Sequence, residues 1–291
     1  MSIIESAPAG SEGRGVPPYA DLLELAVPVA VATADMVRQR RREGVEVEAT
    51  KSSPVDIVTA VDRAAETMIF ERLMAARPAD GFVGEEGGST AGSSGVEWVV
   101  DPIDGTVNFL YGIPSYAVSI AATVGGESVA GVVVNVATRE VFTATRGGGA
   151  YLDGTVLRVA GSEPAPALSQ RLVATGFNYL ESVKLLQTGA VSALLAEVRD
   201  IRRIGAASLD LCNVASRRVD AYVEEGLNAW DVAAGGLVAT EAGAVLERHR
   251  GVGGTDLYLC APRVGVEELR DLVARCGFLA EPEDAAGDDR E

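Results

Sequence analysis

Trp98-Val-Val-Asp101-Pro102-Ile103-Asp104-Gly105-Thr106-Val-Asn-Phe109 is the stretch on which the reading of this chain turns. The apolar run from Val96 to Val100 has the character of a buried strand. Pro102 has no N–H to offer a ladder, so the strand is expected to stop at Asp101. Asp101 and Asp104 then arrive together at a strand end. Two carboxylates there repel, and one must take up a proton unless a hard divalent cation accepts their oxygens. Gly105 allows close approach of the backbone, and the N–H groups that open the following helical turn suit a phosphate. A cation on one side and an anion cradle on the other point to phosphoryl chemistry. Taken alone, the same residues also read as a turn, because Asp-Pro and Asp-Gly are ordinary turn signals and Asp104-Gly105 can close a hairpin.

Further acids lie elsewhere in the chain. Gly84-Glu85-Glu86-Gly87-Gly88 follows the apolar pair Phe82-Val83. If residues 81–84 and 96–100 are neighbouring strands, Glu85 faces Asp101 across their ends, whereas Glu86 reads as a solvated loop acid. Asn228-Ala229-Trp230-Asp231 opens a small-residue helix from Val232 to Ala242, in which Asp231 suits an N-cap or first-turn position. Capping alone accounts for Asp231, yet its second oxygen stays free to reach a metal. Thr59 is placed to cap another helix, with Ala65, Met68, Ile69, Leu73 and Ala76 inward. On the residues alone, Asp62 is a favourable first-turn acid.

Four blocks carry a family resemblance: Lys51-Ser-Ser-Pro-Val-Asp56-Ile-Val-Thr59-Ala-Val-Asp62, Gly84-Glu85-Glu86, Trp98 to Phe109, and Trp230-Asp231-Val-Ala-Ala-Gly with Thr240-Glu241-Ala-Gly243. Weaker support comes from Thr143 to Ala150 and from Arg202-Arg203-Ile-Gly205-Ala206-Ala207. In this order, over residues 51–246, the chain resembles the inositol monophosphatase family, within the lithium-sensitive, Mg²⁺-dependent sugar phosphatases. The resemblance implies an α+β fold, a layered αβαβα sandwich of the inositol monophosphatase and fructose-1,6-bisphosphatase type. It also implies a homodimer. By the same resemblance Glu85, Asp101, the carbonyl of Ile103, Asp104 and Asp231 bind the metal ions, and the amides of Gly105 and Thr106 hold the phosphate. The Thr106 hydroxyl, backed by Asp62, joins Glu85 in orienting the attacking water. Glu224, Gly205, Ala206 and Ala207, with Asp104 and Asp231, form the substrate side.

The implied activity is hydrolysis of inositol 1-phosphate by two-metal activation of water for in-line attack. Histidinol phosphate, fructose 1,6-bisphosphate and adenosine 3′,5′-bisphosphate are the substrates of relatives and stay open. Where relatives often carry a hydroxyl in the Gly205-Ala206 stretch this chain has alanine, with Ser208 two positions later. Some bacterial relatives act instead as protein partners in transcription and ribosomal-RNA processing, so a binding role is the second class of function.

Composition excludes other classes. A net charge of −17, with Lys51 and Lys184 the only lysines, disfavours direct nucleic-acid or anionic-membrane binding. With 47% apolar residues in 291 there is ample material for a core, and no stretch reaches the length of a membrane span. The N-terminus lacks a basic region followed by an apolar block, so a cytoplasmic protein is expected. Cys212, Cys260 and Cys276 are widely spaced and fit buried, reduced thiols. No glycine precedes either lysine, which excludes a P-loop. The only histidine, His249, is expected in an exposed loop, which removes histidine-nucleophile and Ser-His-Asp chemistry.

Along the chain, residues 1–17 are expected to be disordered and 281–291 to form an acidic tail. Between them lie an N-terminal metal-binding half, 18–160, and a C-terminal α/β half, 161–280, with a Pro-rich joint at 161–166. A helix is predicted from Asp21 to Arg42 with Leu22, Leu25, Ala26, Val29, Thr33, Met36 and Val37 inward, kinked or delayed by Pro28. Tyr116–Val124, Ser128–Asn135 and Val141–Thr145 read as an antiparallel meander. Strands at Leu172–Thr175 and Asp220–Glu224 and helices near Val183–Val198 and from Ala207 complete the second half. Arg202-Arg203 reads as a solvated or subunit-facing edge.

Overall fold

The computed structural model describes residues 18–44, 47–50, 57–159 and 165–280. The expected disordered N-terminus, the acidic tail, most of the Pro-rich joint and the Lys51–Asp56 part of the first resemblance block lie outside the described residues.

The chain opens with α1 (Ala20–Glu43), a ribbon of β1 (Val47–Thr50) and β2 (Ile57–Thr59), and α2 (Ala60–Ala76). Then follow β3 (Gly81–Gly84), β4 (Ser89–Thr90), β5 (Val96–Asp104), the short helix α3 (Thr106–Tyr111), β6 (Ala117–Val124), β7 (Glu127–Asn135), β8 (Val141–Thr145), β9 (Gly149–Leu152) and β10 (Thr155–Leu157). These strands form an eight-stranded sheet in the order β10-β9-β8-β7-β6-β5-β3-β4. Only β3 and β5 pair in parallel within it. The remainder is β11 (Leu172–Thr175), α4 (Glu181–Glu197), β12 (Asp200–Arg202), α5 (Ala207–Ala215), β13 (Ala221–Glu225), α6 (Ala229–Glu241), β14 (Ala244–Arg250), β15 (Asp256–Pro262) and α7 (Val266–Arg275). Its strands make a five-stranded mixed sheet, β12-β11-β13-β15-β14.

Alternation along β6 explains the layering. Val118, Ile120 and Ala122 point to a cluster with Leu22, Ala26 and Val37 of α1 and Ile69 and Leu73 of α2. Ala117 and Ala121 point the other way, to Leu209 and Leu211 of α5 and Leu237 and Val238 of α6. Covered on both faces, the strand reads as a nearly continuous apolar run. The opposite side of α5 and α6 packs on Tyr222 and Cys260 of the second sheet, whose far face meets Leu194 of α4 and Leu269 and Leu272 of α7. Helix pair, sheet, helix pair, sheet, helix pair is the αβαβα sandwich that the resemblance implied.

Several local expectations are corrected. Strand β5 does not stop at Asp101 but continues through Pro102 to Asp104. The register on β6 jumps from Ser119 opposite Asp101 to Ala117 opposite Asp104, so an extra residue bulges out where proline's missing N–H is not needed. Pro28 neither delays nor ends α1, which runs unbroken from Ala20. Leu25 and Met36 are only partly buried, and Ala30 and Ala34 take up the inward stripe. On α2, Met68 is half-buried and Ala76 exposed, while Val61, Asp62 and Glu66 are buried. His249 lies in β14 rather than a loop, half-buried and bonded to Glu247, because the strand pairs along its full length with β15. Cys212 and Cys260 are buried free thiols, and Cys276 is half-buried.

The contact between α5 and α6 sets the height of the site, because both helices open toward it. A Cβ on Gly235 would lie 2.7 Å from the carbonyl oxygen of Ser208, a closer approach than side chains allow. Gly235→Val should therefore force the helices apart and cost roughly 1–3 kcal/mol, read as a lower urea midpoint.

Candidate active site

The β5 bulge delivers two carboxylates to one spot. Asp101 is buried, and its Oδ1 accepts the N–H of Ile103 at 3.0 Å, an Asx-type contact that tightens the turn. Asp104 is also buried and meets the N-terminus of α5: it accepts the N–H of Ala207 at 3.2 Å and of Ser208 at 2.7 Å, and also the Ser208 hydroxyl. The helix thus directs its orphan amides and positive end at the Asp104 charge.

Helix α6 supplies the third acid. Asn228 is its N-cap, and Asp231, the third residue of the first turn, accepts the Asn228 N–H at 2.6 Å through Oδ2. One oxygen therefore serves the capping box. Asp101, Asp104 and Asp231 each offer an oxygen such that all lie within 4.8 Å of one another. The fourth acid, Glu85, follows the end of β3, which pairs in parallel with β5 as Gly84 opposite Val100. Its N–H donates to the Val100 carbonyl at 3.1 Å, which brings its carboxylate close enough for its charge to raise Asp101.

Asp62 works on two sides in the same way. Its Oδ2 accepts the Thr59 N–H at 2.9 Å and the Thr59 hydroxyl, completing the cap of α2, while Oδ1 accepts the Thr106 hydroxyl at 3.2 Å. The same hydroxyl lies 3.0 Å from the Ile103 carbonyl, so its one proton is shared between the two acceptors. Gly105, with φ +87°, turns the chain from β5 into α3, and a Cβ there would sit 3.0 Å from the Ser115 carbonyl, so only glycine fits on both counts.

These groups open on a cavity of about 370 Å³. Glu85, Asp101, Ile103, Asp104, Gly105, Thr106 and Asp231 line it, together with Gly205, Ala206, Ala207 and Glu224. Every expected site residue except Asp62, which stands behind Thr106, lines it. The amide of Ala207 is directed at Asp104. Arg203, expected as a solvated edge residue, is exposed but also lines the cavity, as does Asn178. Ser208, the other residue that sequence reasoning left without a role, supports Asp104. A hydroxyl in the first turn of a helix was the available signal for it.

Charge sets the chemistry. Asp101 is held well above the usual carboxylate range, first by burial and then by the charges of Glu85, Asp104 and Asp231. Asp231 is raised likewise, by burial and then by Asp104 and Glu85. Burial raises Asp104 too, against the lowering contacts of Ser208 and Ala207. Burial pushes Glu224 up to about 7 despite the Arg203 charge and the Tyr222 hydroxyl, which donates to it at 2.8 Å. Among the described residues none of Asp101, Asp104 and Asp231 is in an ion pair with Arg or Lys. Two of them buried and Asp231 half-buried, crowded together, oxygen-only and without a protein cation, the set fits a hard divalent ion. Such a site beside a glycine turn suits transfer of a phosphoryl group to water.

Comparison with known proteins agrees. The model of the inositol monophosphatase family matches residues 19–275, and the chain belongs to that family. It is 45% identical over 280 residues to inositol-1-monophosphatase SuhB of Mycobacterium tuberculosis, covering 89% of this chain and 96% of that protein. It is 35% identical to the Nus factor SuhB of Pasteurella multocida, covering 88% of this chain and 96% of that protein. The crystal structure of extragenic suppressor protein suhB from Bartonella henselae superposes with a TM-score of 0.79 at 34% identity, covering 87% of this chain and 98% of that one.

Asp62 offers a pH test. Burial, outweighing its hydrogen bonds to Thr59, moves it from 3.8 to about 6. Between those values the folded chain holds the extra proton, so this group's contribution to stability is full below pH 4 and is lost as pH rises to about 6. In chelator, wild type should lose about 3 kcal/mol against Asp62→Asn across that window. Denaturation curves that stay parallel would contradict it.

Proposed function

We propose that the protein is a Mg²⁺-dependent phosphomonoesterase that hydrolyses inositol 1-phosphate. The observation that carries this reading is the convergence of Asp101, Asp104 and Asp231, with ligand oxygens within 4.8 Å, facing the Gly105-Thr106 turn. The substrate is taken from the name of the mycobacterial relative. Magnesium held by Glu85, Asp101, the Ile103 carbonyl, Asp104 and Asp231 would supply positive charge for the phosphate oxygens and the departing alkoxide.

The chain's own groups do the rest. The amides of Gly105 and Thr106 bind the phosphate at the opening of α3. Glu85 and the Thr106 hydroxyl orient a water in line with the P–O bond that breaks. Asp62 accepts from Thr106 and, ionising at about 6, can receive the proton passed along. Glu224, held by Tyr222, accepts from ring hydroxyls, and the backbone of Gly205, Ala206 and Ala207 shapes the floor beneath them. Such contacts discriminate strongly between polyols. We read the enzyme as a cytoplasmic, lithium-sensitive homodimer. No helix among the described residues is long and apolar enough to cross a membrane.

A second reading, a protein partner in transcription, is favoured by the relatives named Nus factor SuhB. Retrieval of RNA polymerase by a catalytically dead variant would support it alongside catalysis. Asp104→Asn should abolish Mg²⁺-dependent phosphate release from inositol 1-phosphate, a loss of 10³-fold or more on the order of other transition-state contacts, with the far-UV spectrum unchanged. Full turnover by that variant overturns the assignment. A panel including histidinol phosphate, fructose 1,6-bisphosphate and adenosine 3′,5′-bisphosphate identifies the preferred ester.

A further inference from the structure

Glu66 is a buried carboxylate, 7% exposed, that neither lines the cavity nor belongs to the group formed by Asp101, Asp104 and Asp231. It lies on α2 one turn beyond Asp62, on the same face of the helix. Its Oε2 accepts the N–H of Glu86 at 2.7 Å, and its Oε1 accepts the N–H of Gly88 at 2.9 Å. The two oxygens therefore bridge the turn that carries Glu85. That turn is closed by the Gly84 N–H donating to the Gly88 carbonyl at 2.7 Å.

The glycines of this turn make room for the carboxylate. A Cβ on Gly84 would lie 2.2 Å from Oε2 of Glu66, and one on Gly88 would lie 2.7 Å from Oε1. Glu85 is thus tethered on both flanks: its own N–H is fixed to β5 at Val100, and the next amide is fixed to α2. Because Asp62 on the same helix takes the Thr106 hydroxyl, one rigid element positions both groups that face the attacking water.

We propose that Glu66 is a positioning residue that holds Glu85 against the acid cluster in register with Thr106. α2 acts as the spacer between them. The inference rests on the reading that Glu85 helps to hold Mg²⁺. A carboxylate is required because two amides need two acceptors; glutamine offers one and sets an NH₂ against the other donor.

The test titrates the full-length protein with Mg²⁺ alone by calorimetry, without substrate, for wild type, Glu66→Ala, Glu66→Gln, Gly84→Ala, the Glu66→Ala/Gly84→Ala double variant and Asp101→Asn. Melting temperatures in chelator are recorded beside it. Glu66→Ala should weaken Mg²⁺ binding about 10- to 100-fold, as expected for a residue that supports a ligand, with Glu66→Gln between it and wild type. Gly84→Ala should weaken it similarly by displacing the carboxylate, and the double variant should be no worse than the poorer single. A purely structural role would lower the melting temperatures and leave the affinities of the folded variants unchanged, overturning the proposal. If Glu66→Ala does not fold, Glu66→Gln and Gly84→Ala decide by the same measurement. Unchanged Mg²⁺ binding in Asp101→Asn would remove the metal reading itself. Loss there with wild-type binding in the Glu66 and Gly84 variants would remove only the role of Glu66.

Discussion

Repulsion between buried carboxylates is the constraint around which this molecule is organised. Buried Asp101 and Asp104 converge with half-buried Asp231 and Glu85; burial raises the proton affinity of the three aspartates, and the neighbouring charges add to it at Asp101 and Asp231. Left to itself such a cluster would scatter or neutralise. It persists because its members are tied to three separate elements: Asp101 and Asp104 to the bulged end of β5, Asp231 to the first turn of α6, and Glu85 to the turn after β3. The scaffold stores an electrostatic demand of the kind that a divalent cation would satisfy.

The same carboxylates often do two jobs. Asp62 and Asp231 each complete a capping box with one oxygen. The other oxygen of Asp62 takes the Thr106 hydroxyl, and Asp231 contributes an oxygen to the cluster. A capping acid is held in one orientation by backbone N–H groups, so it is preorganised without further packing. Asp104 is held by the mirror of this arrangement, receiving the N-terminal amides of α5 from outside the helix. Helix ends therefore supply both the rigidity and the partial positive charge that let the acids remain together.

The cavity gathers the groups of the candidate site into one chamber. The acid cluster and the Gly105-Thr106 turn line it together with Glu224, Arg203 and Asn178. Under the proposed function the acids and the Gly105-Thr106 turn would serve the phosphate, and Glu224 the alcohol.

Residue order alone determined the elements with strong periodicity: the meander from β6 to β8, the helices α1, α4 and α5, and the two acids three positions apart at the end of β5. Those features depend on side chains close in the chain, so local chemistry suffices. It also led astray at Pro102 and His249, where pairing with β6 and β15 outweighs what a proline or a charged run prefers by itself. Only the tertiary structure decided that Glu85 is pinned at Val100, that Ser208 holds Asp104, that Arg203 faces the cavity and that Glu66 braces the turn at Gly84. Those partners are brought together by sheet register and the close crossing of α5 over α6, which no local pattern encodes.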